Sequence, residues 1–113
     1  MAAWKEITTL EEWEKLKENS AARQTVVLKH STRCPVSSSA LEEYDAYLAD
    51  KPNADTDYYL VKVIESRPVS NRIAEDLGVT HASPQIILLK DGKNVWNASH
   101  WSVTKKHMTA VLD

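Results

Sequence analysis

Cys34 is the only cysteine in a chain of 113 residues. A lone cysteine is by default a small buried hydrophobe, but the company here is polar. Ser31, Thr32 and Arg33 precede it, and Pro35, Val36 and Ser37-Ser38-Ser39 follow. Proline suits the first position of a helix, because its missing N–H would go unsatisfied there anyway. Cys34 is then the N-cap residue, with the free N–H groups of Val36 and Ser37 pointing toward its sulfur. The helix dipole and the neighbouring Arg33 both favour thiolate over thiol, and the thiolate is the nucleophile. Ser37 stands one turn on, where its hydroxyl can donate to the sulfur. The serine run also suits plain helix capping. Position and neighbours read Cys34 as reactive.

A second feature lies at Ser83-Pro84, directly before an apolar segment. A proline at the first residue of a strand costs no ladder bond. If its peptide is cis, the Ser83 backbone turns toward the end of the neighbouring strand and can pair with an extended substrate, although most X–Pro bonds are trans. His30 ends the strand leading to Cys34, where it either tunes the thiol or is simply hydrogen-bonded. His81, His100 and His107 show no metal-ligand spacing and read as surface residues, so no metal is expected. Trp101, in Ser99-His100-Trp101-Ser102, either flanks a substrate or anchors the last helix. Trp4 and Trp13 read as core, and Lys105-Lys106-His107 as a solvated helix face.

The elements that must position these residues alternate. Trp4 to Ile7 is a short extended segment. Residues 9–19 form an amphipathic helix, with Thr9 and Glu12 as a capping box and Leu10, Trp13 and Leu16 on one face. Residues 25–30 look like a strand buried on both faces. A helix runs over 35–49, with Leu41, Tyr44 and Leu48 at helical spacing, and Lys51-Pro52-Asn53 ends it. Residues 58–63 are a strand. Ser70 can cap a helix that turns Ile73 and Leu77 inward and stops at Gly78. Strands 85–90 and 93–98 flank the two-residue turn Asp91-Gly92, and a helix over 102–112 places Met108, Val111 and Leu112 inward. The order βαβαβαββα predicts a single α/β domain over 1–113, with a parallel core and an antiparallel edge from the final hairpin.

Composition narrows the function classes. Hydrophobic residues are 42% and charged residues 27%, close to a soluble globular average, and the net charge of −2 gives no bulk attraction to nucleic acid. The run Ile86-Ile87-Leu88-Leu89 is too short to span a bilayer. Met1-Ala2-Ala3-Trp4-Lys5-Glu6 has no secretory-signal pattern. One cysteine excludes an intramolecular disulfide and any metal site needing two thiolates from one chain. With glycines only at 78 and 92, no phosphate loop can be written. The expectation is a cytoplasmic protein with a reduced thiol, no nucleic-acid partner and no membrane partner.

Arg33-Cys34-Pro35-Val36-Ser37, the element order and Ser83-Pro84 before the hairpin together resemble the thioredoxin superfamily over essentially the whole chain. Within it, Cys-Pro-x-Ser is most similar to the monothiol bacilliredoxins, thioredoxin-like proteins of the bacillithiol system of low-GC Gram-positive bacteria. The resemblance implies a thioredoxin-like mixed five-stranded sheet with helices on both faces, a cis Pro84, and a nucleophilic Cys34 that removes bacillithiol from S-thiolated proteins. Bacillithiol would be a co-substrate, with no tightly bound cofactor. S-thiolated proteins and a low-molecular-weight thiol or partner reductase would be the partners. The site so implied has Cys34 and Ser37 as catalytic residues, with Arg33, Pro35, Ser83, Pro84 and Trp101 binding substrate. Arg33 would meet the carboxylates of an anionic thiol. Ser37 stands where dithiol thioredoxins have a resolving cysteine, so the adduct needs an outside thiol.

Two other classes stay open. Monothiol glutaredoxins, which carry iron–sulfur clusters, also have cysteine and serine three residues apart, though with glycine where Pro35 stands. A catalytically silent thioredoxin-like interaction module is the third.

Overall fold

The computed structural model describes residues 4–50 and 52–112. Met1-Ala2-Ala3, Asp113 and Lys51, where the sequence reading begins the end of the second helix, lie outside them. The elements are β1 (Lys5–Glu6), α1 (Leu10–Asn19), β2 (Gln24–His30), α2 (Pro35–Ala49), β3 (Thr56–Lys62), α3 (Arg67–Leu77), β4 (Gln85–Lys90), β5 (Lys93–Ser99) and α4 (Lys105–Leu112). A short 3-10 turn, His100–Ser102, precedes α4. The sheet order is β1-β3-β2-β4-β5, which makes β2 central.

β2 alternates between two cores. Val26 and Leu28 face α2 and α4, packing with Tyr44, Tyr47, Leu60 and Met108. Val27 faces α1 and α3, packing with Trp13, Leu16, Ile73 and Ile87. Every residue from Thr25 to His30 is buried, as the unalternating pattern predicts for a strand covered on both sides.

The parallel part of the sheet is smaller than the helix-separated strands suggest. β1, β3 and β2 are parallel, but β4 runs antiparallel to β2 despite the helix before it. The stretch from Gly78 to Pro84 returns the chain to the end where β2 finishes, so Gln85 starts β4 opposite Lys29. β5 then folds back antiparallel through Asp91 (φ 56°) and Gly92 (φ 71°), two positive φ values as in a type I′ turn. The hairpin tip is fastened to the end of α1, where the Asp91 N–H donates to the Ser20 carbonyl at 2.8 Å.

Local differences have local causes. The α1 capping box is present, with the Glu12 N–H donating to Thr9 Oγ1 at 3.1 Å. Leu10, at the first position of α1, is 38% exposed rather than inward, because it precedes the turn that meets the core. α3 begins at Arg67 after Ser66, with Pro68 in its first turn, so Ser70 lies inside the helix and is not its cap. The last helix starts at Lys105 because the 100–102 segment winds as a 3-10 turn, and Val111 is 37% exposed while Met108 and Leu112 are buried. Trp13 is fully buried. Trp4 is only half-buried, with its indole N–H donating to Asp45 at 2.8 Å.

Candidate active site

Three chain segments meet at one end of the sheet: the C-terminus of β2, the first turn of α2 and the start of β4. Cys34 is the N-cap residue of α2, in an extended conformation (φ −114°, ψ 122°) with Pro35 at the first helical position. Its carbonyl accepts the first intrahelical bond, from the Ser38 N–H at 3.1 Å. The sulfur is partly exposed and closes no capping hydrogen bond. The Ser37 amide and then the Val36 amide nonetheless favour its anion, holding the thiol below its ordinary pKa; slight burial opposes them and the Ser37 hydroxyl assists. Arg33 is exposed beside the sulfur and is not among the causes of that lowering.

Ser37 is fully buried and joins the segments. Its Oγ accepts from the Ser31 N–H at 3.2 Å, closing the β2–α2 junction. The same Oγ lies 3.5 Å from Ser83 Oγ. The first turn of α2 and the segment before β4 therefore share one rim. The Ser83–Pro84 peptide is cis, and the Pro84 carbonyl accepts from the His100 N–H at 2.9 Å. His100 takes a positive φ of 54° and opens the turn that carries Trp101.

Trp101 is 71% exposed, so it does not anchor the last helix; Val103 and Met108, both buried, do that. It borders a cleft of about 270 Å³ between α2 and the 100–104 segment, with Val36, Ser39, Glu43 and His100. His30 is buried on the α2 side of the sheet, and burial lowers its pKa. Its Nδ1 has no hydrogen-bond partner among the described residues. The described residues contain no cluster of three or more His, Cys, Asp or Glu side chains placed to hold a metal ion, and no helix long and apolar enough to cross a membrane.

Lys29 escaped the sequence reading, and His81, a surface residue as that reading has it, makes a contact the reading did not foresee. Lys29 is fully buried, and its Nζ lies 3.2 Å from His81 Nδ1. One signal was available. Residues 25, 27 and 29 share a face of a strand buried on both sides, so a lysine at 29 has to enter the core.

The family model described as monothiol bacilliredoxin BrxC matches residues 5–108. Among solved structures, the chain is similar to a candidate oxidoreductase with a thioredoxin fold, at 28% identity and a TM-score of 0.84, covering 96% of this chain and 92% of that one. It is also similar to the Malassezia sympodialis thioredoxin Mala s 13, at 12% identity, TM-score 0.80 and coverage of 99% and 90%. Fasciola hepatica thioredoxin matches at 19% identity, TM-score 0.75 and coverage of 96% and 95%. The two thioredoxins speak for the fold alone.

Proposed function

Because this chain belongs to the monothiol bacilliredoxin family, with a thioredoxin fold, we propose that it removes a low-molecular-weight thiol, bacillithiol in the first instance, from S-thiolated proteins. The observation that carries this reading is Cys34 at the N-cap of α2, partly exposed and with its thiolate favoured, in a chain with no second cysteine.

The thiolate attacks the small-thiol sulfur of the protein mixed disulfide. That S–S bond breaks as the Cys34–small-thiol disulfide forms, and the protein sulfur leaves as a thiolate that takes a proton from solvent. Cys34 is oxidised and the protein cysteine is reduced. A second small-thiol anion, or a partner reductase, then attacks the adduct and returns Cys34 as thiolate. Nucleophilicity falls as pKa falls, so a moderate lowering serves this cycle best.

In this reading Ser37 supports the thiolate and cannot resolve the adduct. Pro35 starts the helix, while Ser83 and Pro84 form the facing rim and offer backbone to an extended substrate. Trp101 flanks the bound thiol, and Arg33 meets its carboxylates from solvent.

Intact mass after challenge with an S-bacillithiolated protein tests the proposal. Wild type should release the protein thiol once per molecule and stop with the small thiol on Cys34. Ser37→Cys places a second sulfur one helical turn away, so it should expel the small thiol and end as an internal disulfide. A wild-type chain without adduct, facing a substrate that stays thiolated, overturns the reading.

A further inference from the structure

Val27, Ile87 and Leu89 make the sheet face toward α1 and α3 apolar. At the end nearest Cys34 that face is completed by Lys29, fully buried. Its Nζ donates to the Ser70 carbonyl of α3 at 3.1 Å and lies 3.2 Å from His81 Nδ1. Ser70 Oγ is 3.5 Å from the same ring nitrogen. Among the described residues, the salt bridges formed do not include Lys29. Directly opposite, the buried Gln85 donates from Nε2 to the Thr80 carbonyl at 3.1 Å. Side chains of the two central strands thus hold consecutive residues of one loop, Thr80 and His81, just before Ser83 and Pro84.

Burying an amine without a carboxylate is costly, and an apolar side chain of similar length would fill the space without that cost. What the amine adds is a directed link between β2, α3 and the loop. We propose that Lys29 is a positioning residue, tying the 79–84 loop through His81 so that Ser83 and Pro84 stand beside Ser37 in the first turn of α2, and that acidification undoes the tie. The consequence for substrate rests on the thiol-exchange reading above; the tie itself does not.

The contact tolerates only one proton between its two nitrogens. Either the ammonium donates to the neutral imidazole, or the neutral amine accepts from Nδ1–H; with both groups protonated, N–H faces N–H. Burial sets the amine at about 8, and burial, Lys29 and Arg67 hold the His81 ring below its ordinary value. Both charges acting on the ring are therefore cationic, Lys29 from β2 and Arg67 from α3. A polar cleft of about 440 Å³ between this loop and β5 gives a released loop room to move.

Amide hydrogen exchange of residues 79–85, corrected for the intrinsic pH dependence, reads the tie directly. In wild type, protection should fall about tenfold between about pH 8 and about pH 5.5, while β2 and β3 amides hold theirs. His81→Gln keeps an acceptor for Lys29 without a titrating ring, so its loop protection should match wild type at the higher pH and stay flat on acidification. Lys29→Met should be loose at both pH values, with an unchanged rate of Cys34 alkylation by iodoacetamide. For an S-thiolated protein, its KM should rise about tenfold with little loss of kcat.

Equal loop protection in wild type and Lys29→Met, or a His81→Gln variant that loosens on acidification as wild type does, overturns the proposal. Should Lys29→Met fail to fold, the wild-type and His81→Gln exchange profiles decide alone. A wild type that never dethiolates but shows the pH-dependent loop exchange overturns the functional reading and supports the tie.

Discussion

At the scale of single residues, the proposed chemistry rests on what surrounds one sulfur. The Ser37 and Val36 amides lower the Cys34 pKa, so the folded thiol ionises below the unfolded one. The resulting stabilisation is fully present above the unfolded pKa and fades as pH falls through the folded value. The ultraviolet thiolate band of the reduced protein should therefore titrate with a midpoint below that of a free cysteine; a midpoint at or above it removes the basis for an activated thiolate. Ser37→Ala separates two roles of the same hydroxyl. It leaves the buried Ser31 N–H without its acceptor, at a cost of about 1–3 kcal/mol in urea unfolding. It also removes one of the groups favouring the anion, so the thiolate midpoint should rise while staying below that of free cysteine.

At the scale of elements, β2 carries the molecule's main conflict. It is central, buried on both faces and otherwise apolar at its middle, yet Lys29 occupies a core-facing position near its end. The buried amine has a folded pKa of about 8 against an ordinary 10.5. Between those values the unfolded chain binds more protons, so stability rises with pH across that window, by at most on the order of 3 kcal/mol. Urea unfolding of wild type and Lys29→Met at about pH 7 and about pH 10 isolates this contribution. Wild type should gain relative to the variant at the higher pH. A constant difference between the two proteins would mean that the amine is not held neutral by burial.

At the scale of the whole molecule, the sheet separates a stabilising body from the rim of the proposed site. Trp13 is fully buried in the α1/α3 core, and its indole N–H donates to Asp76 at 2.8 Å. Trp13→Ala should cost about 3–5 kcal/mol in thermal or urea unfolding. Trp101 stands on the rim and is largely exposed. Trp101→Ala should change stability by no more than about 0.5 kcal/mol and should weaken capture of an S-thiolated substrate, seen as a raised KM. A large stability loss at Trp101 would return that residue to the role of helix anchor.

Much of this was legible in the sequence because it is local. Pro35 after Cys34 is enough to start a helix and make the cysteine its N-cap, and Thr9 with Glu12 is enough to cap α1. Asp91-Gly92 by itself selects the tight hairpin, since both residues tolerate positive φ. The relation between distant segments was not legible in that way. That β4 opposes β2 rather than running beside it in parallel depends on where the Gly78–Pro84 stretch re-enters the sheet. The meeting of Ser37 with Ser83 and the pairing of Lys29 with His81 follow from that re-entry. Short-range backbone chemistry decides where an element begins and what its first turn offers a sulfur. Only the packed sheet decides which loop faces that turn, because those contacts join residues that no local pattern connects.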